Sequence, residues 1–381
     1  TTRVRREVAD LMAAVMTENY GNPSSTHTMG RRAKAALDAA RENIAGALGA
    51  DVSEIYFTSG GTEADNWAVL RGAEAMSRRG RHIISTRIEH DAVLKPLAVL
   101  ESSGWEVTYL QPDKSGRIAA EAFASALRED TVLASVILVN NETGAINPVE
   151  EMTREIKRRG FNTLFHTDAV QGFLKVPFTV KSLGADMISI SAHKLHGPKG
   201  AGALYIRKGV RLKPLIYGGG QEREMRSGTE ALPAISGFGE AVRIASAERE
   251  QAAAAVREVY DYTVSLLRDK LPEAVILSPC DSGESPGSRY AHSPYILSLS
   301  LPGHKSEVLM NFLEAEGICV AKSSACKKGA RSHVLEAMNL PNDIIDGALR
   351  VSFSRLSTKD EVAYFVQKLR DAARSLYKAL K

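Results

Sequence analysis

Cysteine is scarce in this chain, which has three cysteines in 381 residues. They stand at positions 280, 319 and 326, too few and too irregularly spaced for a disulfide framework or a zinc site. We therefore expect a chain that works in a reducing, cytoplasmic environment.

A strong charge imbalance and a long apolar run are also missing. The 49 Lys and Arg residues against 45 Asp and Glu residues leave a net charge of +4 without a long basic block, so nucleic acid is not predicted as the main partner. No apolar run approaches the roughly 20 residues of a membrane-spanning helix, and we expect no signal peptide. We therefore expect no membrane partner.

What the sequence does have is a regular alternation of short apolar runs with longer helical patterns between residues 54 and 207. This alternation predicts an α/β fold in which helices cover a largely parallel, seven-stranded sheet. The predicted strands are 55–58, 82–86, 105–110, 132–139, 163–168, 187–191 and 203–207, and the helices between them are 63–79, 90–103, 119–129 and 149–159.

A second, smaller module follows. An Ala- and Glu-rich stretch at 234–271 predicts one long helix, and a loop rich in Gly, Ser and Pro follows at 278–294. Strands are predicted at 295–301, 318–321 and 348–353, with helices at 304–316, 333–339 and 359–380. We therefore predict a large domain, 16–247, and a small α+β domain, 248–381, joined by the N-terminal segment 1–15.

Lys194 stands just after an apolar run, in the motif Ser191–Lys194 and before a glycine-containing turn. An open parallel sheet presents ligand-binding side chains at such a strand end. A desolvated lysine amine forms imines with carbonyl cofactors, of which pyridoxal phosphate is the usual one in enzymes. Most His-Lys pairs are solvated surface residues, so this interpretation depends on the other strand ends.

Asp168 ends the predicted strand 163–168, at the same edge of the sheet. Pyridoxal phosphate needs a carboxylate that keeps its pyridine nitrogen protonated, and Asp168 is the candidate. Gln171, three residues further on, can reach the ring oxygen of the cofactor from the same loop. The alternative role of Asp168 is to cap a following helix, and the presence of Lys194 downstream favours the cofactor.

Three more strand ends carry suitable polar residues. The turn Ser59–Glu63 leads from a strand into a helix and can bind a phosphate through its backbone, although a plain glycine-rich turn is the alternative. His90 follows another strand, where an imidazole can stack on a flat ring and exchange protons, although most such histidines are ordinary surface residues. The motif Asn140–Gly144 ends a further strand, where a side-chain amide can bond a ring hydroxyl. Their convergence with Lys194 favours the cofactor site.

Cys326 lies in a small, polar and basic stretch, 321–331, that predicts an exposed, mobile loop. Cys319, in contrast, lies in an apolar stretch that predicts a buried position. Nearby cations favour the thiolate, which is the nucleophilic form of cysteine. These cations are Lys322, Lys327 and Lys328. The alternative is an incidental surface cysteine, which the composition of the loop makes less favoured.

Arg350 is placed by the pattern inside the strand 348–353. A planar guanidinium there can bind a substrate carboxylate through two hydrogen bonds, and a structural salt bridge is the alternative.

Motifs along the whole chain occur in the order typical of one enzyme group. They are Gly21–His27, Phe57–Glu63, Ile88–His90, Asn140–Gly144, His166–Gln171, Ser191–Lys194, Gly218–Glu222, Arg226–Glu230 and Ser323–Cys326. By these motifs the chain resembles the NifS-like cysteine desulfurases, within the class V aminotransferase group of fold-type I pyridoxal phosphate enzymes.

The resemblance implies a role for each candidate residue. Around the pyridoxal phosphate ring, Lys194 would bind the aldehyde, Asp168 would pair with the pyridinium, His90 would stack, and Gln171 and Asn141 would hold the ring oxygen. The phosphate would be held by Gly61, Thr62, Ser191 and His193, with Thr229 contributed by the partner subunit of a homodimer. The substrate carboxylate would be held by Asn22 and Arg350.

The activity implied is conversion of L-cysteine to L-alanine. Cys326 would take the sulfur as a persulfide and pass it to a sulfur-acceptor or iron–sulfur scaffold protein. The cofactor site would contain no metal, and Cys326 is a candidate ligand for a transferred iron–sulfur cluster.

Three features depart from the family pattern. Only Thr1-Thr2 remains of the opening strand of the family, so we expect that N-terminal residues are missing from this sequence. Lys327-Lys328 replaces a Ser/Thr-rich continuation, which affects the choice of acceptor protein, and Ala231 replaces an Asn near the expected subunit contact.

Overall fold

The computed structural model describes residues 1–279, 292–322 and 331–376. The α-helices are α1 (Arg6–Thr17), α2 (Thr28–Leu48), α3 (Gly61–Met76), α4 (Asp91–Ser102), α5 (Ala120–Ala126), α6 (Val149–Arg159), α7 (Val180–Leu183), α8 (Leu232–Ala247), α9 (Arg249–Lys270), α10 (Ser306–Ala315), α11 (His333–Ala337), α12 (Asn342–Asp346) and α13 (Lys359–Ser375). The strands are β1 (Ile55–Thr58), β2 (His82–Thr86), β3 (Glu106–Leu110), β4 (Thr131–Ser135), β5 (Leu164–Asp168), β6 (Met187–Ser191), β7 (Gly202–Ile206), β8 (Val275–Ile276), β9 (Ile296–Ser300), β10 (Ala321–Lys322) and β11 (Ala348–Ser352).

The larger sheet has seven strands in the order β1-β7-β6-β5-β4-β2-β3. Five adjacent strands, β6, β5, β4, β2 and β3, run parallel to one another. Strand β7 is antiparallel to both of its neighbours, β6 and β1. Every residue of β2, β4, β6 and β7 is buried, as expected for strands covered on both faces. The predicted α/β fold with a mostly parallel seven-stranded sheet is confirmed.

Two compact units make up the chain. Unit 1 comprises Thr1–Leu110, Ala120–Leu138 and Pro148–Arg249, and contains the larger sheet. Unit 2 comprises Gln111–Ala119, Val139–Asn147 and Glu250–Lys381. Asn141, in the range predicted for the large domain, therefore belongs to unit 2.

The core of unit 1 forms where α3 and α4 pack against the sheet. The indole of Trp67 is fully buried there, with its Nε1–H donating to the Lys213 carbonyl at 3.3 Å. On the same helix, Gly72 leaves room for Met187 of β6, because a Cβ at residue 72 would lie 3.1 Å from the methyl group of that methionine. Close packing of this kind fixes the position of α3, whose N-terminus follows directly on β1.

The N-terminal segment also belongs to unit 1. The backbone N–H of Thr2 donates to the His193 carbonyl at 2.9 Å, and the N–H of Arg5 donates to the His196 carbonyl at 3.1 Å. The buried guanidinium of Arg5 is ion-paired with Glu248, the residue that separates α8 from α9. These bonds hold the segment against the turn that carries Lys194.

Unit 2 is built on a four-stranded antiparallel sheet in the order β10-β11-β9-β8. Its apolar core consists of side chains from α9, α10 and α13 and from strands β9 and β11. The segment 139–147 is tied to this unit, since Ser293 N–H donates to the Gly144 carbonyl at 2.8 Å and Ser278 Oγ donates to the Thr143 carbonyl at 2.6 Å.

Several elements differ from the sequence-based prediction. The single helix predicted at 234–271 is two helices, α8 and α9. Helices α1 and α2 were not predicted, and β4 ends at Ser135 instead of residue 139. The buried position predicted for Cys319 was wrong: it is exposed, because 318–320 is irregular chain and the strand begins only at Ala321. No helix in the described parts of the chain is long and apolar enough to cross a membrane.

Candidate active site

Asp168 is buried at the carboxyl end of β5. Its Oδ1 accepts a hydrogen bond from the backbone N–H of Val170 at 2.8 Å. Burial raises the pKa of Asp168, whereas the Val170 N–H, His90 and Lys194 act to lower it. No α-helix begins at this turn in the described chain, so the alternative role as a helix cap does not apply. A buried carboxylate in this setting can pair with one cationic group.

Lys194 and His90 lie close enough to Asp168 for a positive charge on either side chain to lower the pKa of its carboxyl group. His90 is the N-cap of α4, and its Nδ1 accepts from the Ala92 N–H at 3.1 Å, which leaves Nε2 as the nitrogen that carries a proton. Lys194 ends a short 3-10 turn, Ala192–Lys194, that follows β6 directly. Three strand ends therefore bring these three predicted residues together.

Two more buried carboxyl groups interact with Asp168. Glu89 is fully buried, and its Oε1 accepts from Thr86 Oγ1 at 2.7 Å and from Ile137 N–H at 2.8 Å. Burial raises the pKa of Glu89 to about 8. Asp65 of α3 is also buried, and burial together with the charge of Asp168 raises its pKa well above the usual value. At neutral pH, Glu89 is therefore mostly protonated, and the protonated form of Asp65 is favoured by the same physical causes.

Hydrogen-bonded polar side chains of neighbouring strands lie next to these acids. His166 lies two residues before Asp168 on β5, so both side chains are on the same face. The Nδ1 of His166 is 2.8 Å from Ser135 Oγ, and its Nε2 is 2.9 Å from Ser189 Oγ and 3.5 Å from Asp65 Oδ1. Burial lowers the pKa of His166 to about 3, so the ring is neutral and does not compete with a cation at Asp168.

The N-terminus of α3 lies beside the end of β6. A Cβ added to Gly61 would be 2.7 Å from Val170 and 3.8 Å from the Cβ of Ser191, so the absence of a side chain at Gly61 allows this approach. Thr62 is exposed in the first turn of the helix. Free N–H groups and a hydroxyl at a helix N-terminus form a site for a phosphate. Gly61, Thr62 and Ser191 are thus brought to one place.

His193 and Gln171 border this place. His193 is half-buried, its Nδ1 is 3.0 Å from Thr1 Oγ1, and burial together with the charge of Lys194 lowers its pKa to about 4. Gln171 is half-buried in the turn after Asp168, and its Oε1 accepts from Lys175 Nζ at 3.1 Å.

Unit 2 brings Asn141 and Arg350 together. The guanidinium of Arg350, on β11, donates from Nη1 to the Asn141 carbonyl at 3.0 Å. The neighbouring Glu142 is buried and accepts a hydrogen bond from Ser332 Oγ. Burial raises the pKa of Glu142 to about 7, opposed by Ser332 and by the charge of Arg350. The structure thus gives Arg350 a backbone acceptor and an acidic neighbour.

The remaining predicted residues are exposed or lie outside the described chain. Thr229 is exposed, three residues after Arg226, whose Nε donates to Glu63 Oε1 at 2.8 Å. Asn22 is exposed, and its Oδ1 accepts from Ser24 N–H at 2.9 Å. Cys326 lies outside the described residues. Within 1–279, 292–322 and 331–376, no group of three or more His, Cys, Asp or Glu residues is placed to hold a metal ion.

The residues of unit 1 fit pyridoxal phosphate. Asp168 is a buried carboxylate that a ring cation can neutralise, and Lys194 is a primary amine within its electrostatic reach. The N-terminus of α3, where the backbone at Gly61 comes close to Val170 and Ser191, suits the phosphate. Both ends of the cofactor thus have a matching group.

Sequence reasoning missed four residues of this region. Glu89 and Glu142 were noticed only as members of motifs, and Asp65 and Lys175 were not noticed. A signal was available for Glu89 and Glu142, since each stands beside a predicted site residue. Asp65 and Lys175 had no comparable signal, because their surroundings depend on how distant elements pack.

Comparisons with known proteins agree with this geometry. Residues 1–365 match the family "Aminotransferase class-V". The chain is 44% identical to "Cysteine desulfurase IscS" of Methanosarcina thermophila, over 97% of this chain and 91% of that protein. A solved structure named "NIFS-LIKE PROTEIN" superposes with a TM-score of 0.91 at 41% identity, covering 99% of this chain and 98% of the other.

A second solved structure, described as "SspA in complex with cysteine", has a TM-score of 0.78 at 32% identity and covers 94% of this chain and 98% of its own. The predicted resemblance to NifS-like cysteine desulfurases is therefore confirmed. The chain belongs to the class-V aminotransferase family.

Proposed function

We propose that this protein is a pyridoxal phosphate-dependent cysteine desulfurase, which converts L-cysteine to L-alanine and transfers the sulfur to Cys326. The observation that carries the proposal is the buried Asp168 at one edge of the sheet, with the half-buried His90 and Lys194 close enough for their charges to act on its carboxylate. Relatives named as cysteine desulfurases and a neighbour described in complex with cysteine support L-cysteine as the substrate.

Each residue of the cluster has a task that follows from its chemistry. Bound pyridoxal phosphate supplies an electron sink for the electrons of the broken substrate bond. Lys194 would hold the cofactor through Nζ, and its amine would move the proton at the substrate Cα. Asp168 would keep the proton on the pyridine nitrogen. His90 would stack on the ring, with Nε2 as its proton-bearing nitrogen because Nδ1 accepts from the Ala92 N–H.

Other residues bind and orient. The N-terminus of α3 at Gly61 and Thr62, with Ser191 and His193, would hold the phosphate, and Gln171 and Asn141 would hold the ring oxygen. Arg350 binds the substrate carboxylate with Asn22, since a guanidinium fork matches a carboxylate in geometry and charge. Glu142 positions Arg350 by placing a buried acid beside it.

The sulfur transfer is a displacement at the substrate sulfur. The Cys326 thiolate attacks that sulfur, an S–S bond forms, and the C–S bond breaks with its electron pair passing to the substrate carbon. A proton then completes L-alanine. The net change is L-cysteine plus the enzyme thiol giving L-alanine plus an enzyme persulfide, so no outside oxidant is required.

Assembly and destination are proposed from the family. A homodimer would let the exposed Thr229 reach the phosphate of the partner subunit. The persulfide would be passed to a sulfur-acceptor or iron–sulfur scaffold protein in the cytoplasm, and the IscS names of the relatives support iron–sulfur cluster assembly as the destination.

The direct test compares Cys326 with Cys319, the two cysteines of unit 2 that lie closest together in the sequence. L-cysteine with a reductant should give equal amounts of sulfide and alanine, and Cys326→Ala should abolish sulfide while keeping the absorbance of the bound cofactor. Cys319→Ala is the matched control and should keep full activity, because Cys319 is an exposed thiol seven residues earlier without a proposed role. Full sulfide release by Cys326→Ala would remove the proposed mechanism.

The covalent role of Lys194 has its own test. Borohydride reduction of the cofactor-loaded protein should attach the cofactor to the peptide that contains Lys194, as read by mass spectrometry. Reduction that leaves this peptide unmodified would overturn the assignment of Lys194, whatever the activity.

A further inference from the structure

The side chain of Thr2 lies against the turn that carries Lys194 and is bonded to it on both sides of that lysine. The carbonyl of His193, immediately before Lys194, accepts from the backbone N–H of Thr2 at 2.9 Å and from Thr2 Oγ1 at 3.1 Å. The backbone N–H of His196, two residues after Lys194, donates to the same Oγ1 at 2.7 Å. One hydroxyl group therefore bridges two peptide groups that flank Lys194.

This bridge uses both functions of a hydroxyl group. The single proton of Thr2 Oγ1 is donated to the His193 carbonyl, and a lone pair of the same oxygen accepts the N–H of His196. A serine at residue 2 keeps both functions, whereas a valine has neither of them. The bridge is therefore a property of the hydroxyl group, and it can be removed with little change in side-chain shape.

The backbone after Lys194 has an unusual conformation. The φ of His196 is 64°, in the left-handed region that residues other than glycine rarely adopt. Its Nδ1 lies 2.8 Å from the carbonyl oxygen of Arg3, and its own carbonyl accepts from the N–H of Arg5 at 3.1 Å. Such a conformation persists where surrounding groups hold it. Residues 2–5 provide these groups.

The bonds that the turn makes to itself lie on one side of it. The Ala192 carbonyl accepts from the Leu195 N–H at 3.0 Å and from the Gly197 N–H at 3.1 Å. Thr2 adds bonds from outside the turn, to the residues on either side of Lys194. The backbone position of a reacting group matters, because a displacement of about 1 Å can slow a reaction about a hundredfold.

We propose that Thr2 is a positioning residue of the candidate active site, whose hydroxyl group bridges the turn 193–196 and fixes the backbone from which the Lys194 amine reaches the reacting atoms. In this role Thr2 acts through Lys194 and not on the substrate. The consequence for catalysis rests on the function proposed above, whereas the bridge itself does not.

The first measurement tests the bridge in the cofactor-free protein. Amide hydrogen exchange, followed by mass spectrometry of overlapping peptides that cover 192–200, reports how often the N–H of His196 is released from its acceptor. Thr2→Val should speed this exchange at least about fivefold, because the acceptor is lost. Thr2→Ser should keep the wild-type rate. Peptides of β2 should exchange as in the wild type, which excludes a general loss of stability.

Thr17→Val is the matched control, because it removes a threonine hydroxyl elsewhere in the N-terminal part of unit 1. The exposed Thr17 donates from Oγ1 to the Ala13 carbonyl at 2.9 Å, within α1. This substitution should leave the exchange of the His196 amide unchanged.

The second measurement tests the consequence for the proposed reaction. With kcat calculated per bound cofactor, Thr2→Val should lower kcat for alanine formation about tenfold, because the Lys194 amine is misplaced. The KM for L-cysteine should stay within about twofold, because Arg350 is not changed. Thr2→Ser should restore kcat, and Thr17→Val should keep it. A role in folding alone would reduce the amount of cofactor-bound protein and leave kcat per cofactor as it is.

Unchanged exchange of the His196 amide in folded Thr2→Val would overturn the bridge, and faster exchange with unchanged kcat would overturn the positioning role. If that variant does not fold, as judged by circular dichroism, the wild type decides: a His196 amide no better protected than that of the exposed Lys199 would overturn the proposal. Wild-type protein that shows the protected amide but no desulfurase activity would refute the proposed function and support the bridge.

Discussion

At the scale of single residues, Arg350 shows how much of a binding group is set by its surroundings. The strand β11 positions the guanidinium, and the Asn141 carbonyl accepts a hydrogen bond from its Nη1. The buried carboxyl group of Glu142 is an acidic neighbour, whose pKa the charge of Arg350 acts to lower. A fixed planar fork is suited to a carboxylate, and a lysine at the same position would offer a single point charge. This difference can be measured.

Arg350→Lys should raise the KM for L-cysteine by about tenfold to a hundredfold, with a smaller effect on kcat, because one charge-assisted pair of hydrogen bonds contributes about 1.5–3 kcal/mol. Steady-state kinetics of alanine formation give both constants. Arg268→Lys, an exposed substitution on α9, is the control and should keep the wild-type KM. An unchanged KM in Arg350→Lys would show that the carboxylate binds elsewhere.

The site residues that sequence reasoning could predict are those at strand ends. Asp168 and Lys194 follow apolar runs, and parallel strands bring their carboxyl ends to one edge of the sheet, so their proximity follows from order in the chain. Asp65 was not predictable in the same way. It stands in the second turn of α3, where a carboxylate normally faces water, and only the packing of that helix on β5 and β6 shows that it is buried.

At the scale of elements, the structure corrects the predicted end of β4. The apolar run continues to residue 139, but the ladder with β2 ends at Ala134. Beyond it, the Glu89 carboxyl accepts the Ile137 N–H that a neighbouring strand would otherwise bond. The bond joins residues 48 positions apart in the sequence, so local pattern could not reveal it.

Helices α2 and α8 show a similar dependence on distant contacts. A Cβ at Gly239 of α8 would lie 2.4 Å from the Cα of Ala40 on α2, so the two backbones approach closely only because residue 239 has no side chain. The Asn43 side chain adds a hydrogen bond to the Gly239 carbonyl at 3.3 Å. In the sequence alone, Gly239 is only a weak helix former.

Gly239→Ala should lower the free energy of unfolding by about 1–3 kcal/mol or more, because the added methyl group meets backbone atoms that cannot move independently of α2. Gly46→Ala is the matched control: its Cβ would meet nothing within 4 Å, and it should raise stability by about 0.5–1 kcal/mol through helix propensity. Chemical denaturation followed by circular dichroism measures both. Equal effects of the two substitutions would contradict the close approach of the helices.

At the scale of the whole molecule, the net charge of +4 is the sum over acidic groups whose pKa values are shifted in opposite directions. Many exposed carboxylates are ion-paired and have lowered pKa values, such as Glu155 beside Arg158 and Arg159. The buried acids near the candidate active site have raised pKa values instead. The stability of the folded chain should therefore depend on pH in a direction set by these buried groups.

The sign follows from proton binding. Between pH 4.5 and about 8, Glu89 keeps its proton in the folded chain and has lost it in the unfolded chain. The folded state binds more protons in this window, so the contribution of Glu89 to stability falls as pH rises and is fully lost above about pH 8. The shift corresponds to at most about 5 kcal/mol for this one group.

Glu89→Gln should flatten the pH dependence of stability, because the amide keeps an oxygen for Thr86 and Ile137 and has no proton to lose. Denaturant unfolding of the cofactor-free protein at several pH values gives the free energy of unfolding at each. The free energy of unfolding of the variant should increase steadily relative to that of the wild type as pH rises. Glu121→Gln, an exposed change on α5, should follow the wild-type curve. If Glu89→Gln also runs parallel to the wild type across the window, Glu89 is already ionised in the folded protein, and the negative charge near Asp168 is larger than we infer.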